Sequence, residues 1–211
     1  MRSPLIIGHR GFASRFPDNS LAGVDAAITA GADGVEVDVR PCADGSWVCH
    51  HDRSRGGRPV REWELEALSR EGVPTLVKVT AAVPADRLLF VEVKPLPESD
   101  LLAGLGALGT LLLRRAASTR VISSSEPVLA AVSEALIGVA LSLVFDEIPA
   151  RLPEGLELSP FHGLVEALLT TGRPLHPWTV NRPERMRELA RLGVASVTTN
   201  DPGLAMEVLR G

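Results

Sequence analysis

The segment Gly34-Val35-Glu36-Val37-Asp38-Val39-Arg40 alternates apolar and charged residues with a period of two. Along a β-strand, successive side chains point to opposite faces. Val35, Val37 and Val39 can then turn toward surrounding helices while Glu36 and Asp38 share the inner face. Two carboxylates on one inward face repel each other and are costly to desolvate. A cation between them removes both penalties, so coordination of a hard divalent metal is the economical reading, with Mg²⁺ and Ca²⁺ both suited to oxygen ligands. The competing reading is a solvated edge strand with alternating charge, which helices on both sides of the strand would argue against.

Leu88-Leu89-Phe90-Val91-Glu92-Val93-Lys94 follows the same logic. Glu92 and Lys94 fall on the inner face, Glu92 as a third oxygen ligand and Lys94 as a cation able to hold a phosphoryl oxygen. A Glu–Lys pair with a purely structural role is the plainer alternative. A first apolar run ends in Gly8-His9-Arg10-Gly11. Histidine titrates near neutrality and suits proton transfer, and the arginine fork fits a phosphate bidentately. A second histidine stands in His50-His51-Asp52, downstream of Asp44-Gly45, a dipeptide that signals a hairpin. If the turn has two residues, counting outward sets Asp38 opposite His51 on one face. Two histidines beside a metal and two cations, Arg10 and Lys94, make an acid–base pair suited to phosphodiester cleavage.

These residues need elements to position them. Eight strand-like runs cover Pro4 to Gly8, Gly34 to Arg40, Leu88 to Lys94, Arg120 to Ser124, Gly138 to Leu143, Leu156 to Ser159, Pro174 to Val180 and Ala195 to Thr198. Helix-like stretches lie between them. Asn19 to Gly31 opens on capping residues and closes on glycine, Ser99 to Arg115 begins acidic and ends on two arginines, and Pro183 to Leu192 has proline at its start with Gly193 after its end. Repeated strand–helix alternation predicts a parallel sheet, and eight repeats allow one (β/α)₈ barrel over residues 1–211, with a small hairpin inserted after the second strand. At this length the loops must be short.

Composition narrows the class further. The chain is 45% apolar and 23% charged, with a net charge of −4, which suggests neither a nucleic-acid surface nor an anionic-membrane surface. No run of eighteen apolar residues suggests a membrane span. The first eight residues turn polar too soon for a signal peptide, so a cytoplasmic location is expected. Cys42 and Cys49 read as free thiols. The leucine-rich stretch Leu101 to Leu113 suits a barrel helix wedged between neighbours, with an oligomer interface as the sharper alternative. His176 reads as a satisfied strand residue.

In order along the chain stand His9-Arg10-Gly11, Asp18-Asn19-Ser20, Glu36-x-Asp38, Asp44-Gly45, His51-Asp52, Glu92-x-Lys94, Trp178-Thr179-Val180-Asn181 and Thr199-x-x-Pro202. This ordered set, from about residue 5 to residue 209, resembles the glycerophosphodiester phosphodiesterase family. The resemblance implies a (β/α)₈ barrel and hydrolysis of glycerophosphodiesters to glycerol 3-phosphate and an alcohol. It implies His9 and His51 as acid–base residues, Glu36, Asp38 and Glu92 as ligands of a divalent metal, Arg10 and Lys94 as phosphate-binding cations, and Trp178 at the mouth of the pocket. Two departures bear on substrate choice. Asp18-Asn19-Ser20 replaces the family's usual Glu-Asn-Thr, and Ser123-Ser124-Ser125 stands where a Ser-Phe pair is common. The alternatives are a lysophospholipase D on the same barrel, a non-catalytic barrel that binds a phosphorylated ligand, and a metal-dependent lyase or aldolase.

Overall fold

The computed structural model describes residues 3–211; the part of the N-terminal reading that rests on Met1 and Arg2 lies outside the described residues. The strands are β1 (Leu5–Gly8), β2 (Gly34–Pro41), β3 (Trp47–Cys49), β4 (Ser54–Arg55), β5 (Arg58–Pro59), β6 (Leu88–Val93), β7 (Thr119–Ser123), β8 (Ala140–Phe145), β9 (Glu157–Pro160) and β10 (Ser196–Thr199). The helices are α1 (Leu21–Thr29), α2 (Leu65–Arg70), α3 (Leu76–Ala82), α4 (Glu98–Leu112), α5 (Glu126–Ala135), α6 (Val165–Leu168), α7 (Pro183–Leu192) and α8 (Pro202–Arg210). Seven strands run parallel in the order β10-β1-β2-β6-β7-β8-β9, and β3 folds back antiparallel on β2.

The expected strand at 174–180 closes the barrel without forming a regular ladder. Parallel bridges join Leu158 to Leu175 and Phe161 to Trp178. On the other side, the Thr198 amide donates to the Pro177 carbonyl and the Val180 amide donates to the Thr198 carbonyl. Pro174 and Pro177 have no amide hydrogen to give a ladder, which is why this stave is irregular. The fold is thus a (β/α)₈ barrel with seven regular parallel strands and one broken one.

The period-two pattern sorts the side chains as expected. Val35, Val37 and Val39 on β2 and Leu89, Val91 and Val93 on β6 are fully buried in the main apolar core, between the sheet and the helices. Burying a side chain of this size contributes about 1.5–3 kcal/mol. The inner face holds a smaller apolar cluster of Ile7, Phe90, Ile122 and Val144. It also holds buried polar groups, among them Ser142, Ser159 and His176. His176 is satisfied on both ring nitrogens, by Ser196 Oγ at 2.7 Å and Glu157 Oε2 at 3.0 Å.

The helices lie close to their expected spans. Asn19 stands outside α1, because Ser20 is the N-cap and accepts from the Gly23 amide. α7 has the expected bounds, and Gly193 ends it in the left-handed conformation at φ 78°. α4 passes into a 3₁₀ turn over Leu113–Ser118, with non-helical backbone at Arg115. By length and composition Glu98–Ser118 is the one helical stretch among the described residues apolar enough to cross a membrane. Its Leu101, Leu108 and Leu112 are buried against the barrel, while Leu102 and Leu113 are exposed.

The hairpin exists, but its register differs from the expected one. Val39 pairs with Cys49 and Pro41 with Trp47, and the His50 amide donates to the Asp38 carbonyl. Asp38 therefore lies opposite His50, not His51. The loop has three residues, Ala43-Asp44-Gly45, closed by the Cys42 amide on the Ser46 carbonyl, with Gly45 at φ 77°. A turn followed by a left-handed residue is the usual three-residue solution, and the extra residue shifts each partner by one. Cys42 and Cys49 are free and buried, and burial pushes the Cys42 thiol up to about 12.

Candidate active site

β1 delivers His9 and Arg10 through a tight corner. A side chain at Gly8 would collide with the Gly11 carbonyl, and one at Gly11 would lie 2.7 Å from the Val24 nitrogen. Arg10 and Asn19 both take left-handed backbone, at φ 50° and 60°, which costs about 1–2 kcal/mol for a residue with a Cβ. The two are tied together, since the Asn19 amide donates to the Arg10 carbonyl at 3.0 Å. Strain held by its surroundings in this way clusters at functional sites.

The carboxylates converge. Glu36 and Asp38 are buried and Glu92 half-buried, and one ligand oxygen from each lies within 4.8 Å of the others. Glu36 Oε2 accepts from the Arg10 amide at 3.0 Å. Glu36 Oε1 is buried with no hydrogen-bond partner, an orphan of the kind a metal ion would satisfy. Three oxygen donors and one free lone-pair site fit a hard divalent cation.

The protonation directions follow from the same crowding. Burial, then the Asp38 and Glu92 charges, raise Glu36 well above the usual carboxylate range. Burial also raises Glu92. Burial would raise Asp38 as well, but the Lys94 and Arg10 charges reverse it and leave Asp38 low. Lys94 Nζ lies 2.7 Å from Asp38 Oδ1 and 2.6 Å from Glu92 Oε1. Arg10 Nε lies 3.1 Å from Asp38 Oδ2, and its Nη1 2.5 Å from Asp18 Oδ2. Both expected phosphate-binding cations are thus held by carboxylates at the rim of the site. Asp18, where the resemblance expects a glutamate one methylene longer, reaches Arg10 directly.

The histidines flank the carboxylates from different elements. His9 is largely buried, and its Nδ1 lies 2.6 Å from Asn200 Oδ1. Its Nε2 lies 3.9 Å from Glu36 Oε2. Burial lowers its pKa below the ordinary value, although the Asn200 bond opposes this. His51 is half-exposed, and its Nδ1 lies 2.9 Å from Asp52 Oδ1. Although the hairpin register sets His50 opposite Asp38, the chain leaves the ladder there, and His51 reaches the same cavity as His9.

That cavity has a volume of about 240 Å³. Its polar lining includes His9, Arg10, Glu36, His51, Glu92 and Lys94, and its apolar lining Phe90, Ile122, Val144 and Trp178. The Trp178 indole is fixed by a hydrogen bond to the Ser159 carbonyl at 2.8 Å. Asp38 does not line the cavity: it sits behind Arg10 and Lys94.

Two positioning residues were not among the expected site residues. Asn19 clamps Asp38, donating from Nδ2 to Oδ2 and accepting the Asp38 amide on Oδ1, both at 2.9 Å. Asn200 holds His9 and is itself held by its amide on Asn181 Oδ1 at 2.9 Å. Asn19 stands inside Asp18-Asn19-Ser20 and Asn200 inside the run from Thr199 to Pro202, so the signal was present, but an asparagine without a known partner reads as a turn residue.

Known proteins share this arrangement of chain. The Glycerophosphoryl diester phosphodiesterase family matches residues 9–101 and 105–204. A curated relative from Caldanaerobacter subterraneus subsp. tengcongensis, named glycerophosphodiester phosphodiesterase, is 29% identical over 98% of each chain. A probable glycerophosphodiester phosphodiesterase 1 from Mycobacterium tuberculosis is 28% identical over 95% of this chain and 90% of its own. Among solved structures, a glycerophosphodiester phosphodiesterase from Thermotoga maritima superposes with a TM-score of 0.83 at 23% identity, over 99% of both chains. An Oleispira antarctica phosphodiesterase, solved in complex with the product sn-glycerol-3-phosphate, superposes with a TM-score of 0.85 at 21% identity, over 99% of this chain and 98% of its own. With the family match spanning nearly the whole chain, and His9, Arg10, Glu36, His51, Glu92, Lys94 and Trp178 lining one cavity, the chain belongs to the glycerophosphoryl diester phosphodiesterase family of hydrolases.

Proposed function

We propose that the protein hydrolyses glycerophosphodiesters to glycerol 3-phosphate and an alcohol, in a divalent-metal-dependent reaction with His9 and His51 as the acid–base pair. One observation carries this reading: two histidines, two metal-type carboxylates and two cations line one cavity, with a third carboxylate behind them. Glu36, Asp38 and Glu92 would hold the ion, Mg²⁺ or Ca²⁺, which when bound would neutralise and polarise the phosphoryl oxygens. Arg10 and Lys94 would bind the same oxygens, releasing part of their hold on Asp18, Asp38 and Glu92. With Asn200 Oδ1 as acceptor, His9 carries its proton on Nδ1 and turns an unprotonated Nε2 to the cavity. Burial favours its neutral form, which supports the role of base that takes the proton of the attacking hydroxyl. His51 is oriented by the exposed Asp52 carboxylate, which would pair with its imidazolium, and delivers a proton to the leaving alkoxide. Trp178 and the apolar wall take the carbon skeleton of the substrate.

A coupled assay for glycerol 3-phosphate released from glycerophosphocholine tests the reading. Release dependent on added Mg²⁺, Ca²⁺ or Mn²⁺ supports it, and full activity after exhaustive chelation overturns the metal part. A second reading, a lysophospholipase D, draws on the exposed Phe161 that stacks edge-on against Trp178. Turnover of lysophosphatidylcholine well above that of glycerophosphocholine would favour it.

A further inference from the structure

A second cavity, of about 370 Å³, lies between the hairpin region and the β6–α4 loop. Arg40, Arg53 and Arg61 all line it, against one carboxylate, Asp100. This is not what the chain's overall balance would produce, because acidic residues outnumber basic ones by 26 to 22. Arg61 pairs with Asp100 at 3.4 Å, but among the described residues neither Arg40 nor Arg53 has a carboxylate within ion-pairing distance. The nearby Arg55, by contrast, is neutralised by Glu71 at 2.7 Å. Three guanidinium groups thus line one cavity with a single direct carboxylate partner between them. The donors sit on a stiff frame, since Pro41, Pro59, Pro95 and Pro97 line the same cavity. Prolines fix φ and limit the reorganisation a ligand must cause.

The cavity also touches the active site through a single wall. Arg40 Nε donates to the His51 carbonyl at 3.0 Å. The His51 ring lines the first cavity while Arg40 lines the second. We propose that this arginine-lined cavity is a second anion site for a phosphate-class dianion, coupled to His51 through Arg40. Guanidinium forks suit phosphate geometry, and charge-assisted bonds to several of them are the strong kind. The dianion has two possible sources: a second phosphate carried on the substrate's leaving alcohol, or free phosphate acting on turnover.

The test uses the full chain and the double variant R53A/R61A, whose two side chains are exposed and outside the proposed catalytic machinery. Calorimetric titration with inorganic phosphate should show that the wild type binds one more phosphate per chain than the variant. Equal binding by both overturns the site. The kinetic arms rest on the function proposed above and identify the source. A glycerophosphoinositol phosphate hydrolysed with kcat/KM at least about tenfold above glycerophosphocholine in the wild type, but not in the variant, assigns the substrate's own second phosphate. A change in glycerophosphocholine turnover on adding millimolar inorganic phosphate, absent in the variant, assigns the free anion. Neither effect, with glycerophosphocholine still hydrolysed, overturns the coupling to His51. Wild-type protein that leaves glycerophosphocholine intact sinks the proposed function instead and leaves the phosphate titration to decide the site.

Discussion

His9 shows how one residue's environment sets its role. It is buried, bonded through Nδ1 to Asn200, and its pKa is lowered from the ordinary 6.5. A lowered pKa keeps the neutral form present to lower pH, so the acid limb of kcat/KM should fall below pH 6.5. Asn200→Asp adds a negative charge at the same place and raises the His9 pKa, so that limb should move upward while the alkaline limb stays. A pH–rate profile of both proteins checks it; an unmoved acid limb removes His9 as the base. His9→Ala and His51→Ala should each lose on the order of 10² to 10⁴ in turnover with substrate affinity little changed. An aryl phosphodiester needs no proton on its leaving group, so it should rescue His51→Ala and not His9→Ala. The reverse pattern in steady-state kinetics would exchange the two roles.

The element that matters most to the site is the β2–β3 hairpin, because it carries His51 and is anchored far from it. The Trp47 indole donates to the Gly104 carbonyl at 2.8 Å. A Cβ on Gly104 would lie 2.9 Å from the indole ring. Glycine inside a helix normally costs about 1 kcal/mol relative to alanine. Gly106, two residues on in α4, faces open space, with nothing within 4 Å of the place a methyl group would take. Gly106→Ala should therefore stabilise the protein by up to about 1 kcal/mol, whereas Gly104→Ala should destabilise it despite the same helical gain, because the indole must shift. Urea unfolding of the two variants decides this, and equal effects would mean that α4 and the hairpin are not locked. A smaller hairpin, β4–β5, is turned by Gly56-Gly57, both with positive φ. Two adjacent glycines of this kind match a two-residue turn, and Gly57 lines the arginine-lined cavity.

At the scale of the whole molecule, the barrel concentrates negative charge that the fold alone does not balance. Glu36 is fully enclosed, its pKa is raised, and one of its oxygens has no partner. A carboxyl group raised in the folded state takes up a proton more readily than in the unfolded chain. Its ionisation therefore costs stability above the folded pKa, and that cost is relieved as pH falls. A divalent ion should remove the same cost at neutral pH. Adding Mg²⁺ or Ca²⁺ to metal-free protein should raise the melting temperature, with stabilisation approaching about 2.7 kcal/mol at a hundredfold excess over Kd. Glu36→Gln should abolish most of the shift. Thermal unfolding at several ion concentrations measures it without any substrate, and a melting temperature blind to both ions would count against the metal site.

What the sequence determined by itself was what depends on period and order. The two-residue alternation in β2 and β6 separates valines from carboxylates whatever the rest of the chain does, because strand geometry alone enforces it. Strand–helix alternation likewise points to the barrel, and the order of motifs points to the family. The tertiary structure decided what depends on contacts between distant segments. The register of the hairpin turned on one residue of loop length, which a dipeptide signal does not specify, and this moved His50 into the place read for His51. The broken stave at 174–180 followed from two prolines that must pair with neighbours on both sides. Asn19 and Asn200 became positioning residues only when folding brought Asp38 and His9 to them, 19 and 191 residues away in sequence. The arginine-lined cavity is of the same kind. Arg40, Arg53 and Arg61 look ordinary in a row of charged residues, and they become a site only because the end of β2, the second hairpin and the β6–α4 loop meet over one wall of the barrel mouth.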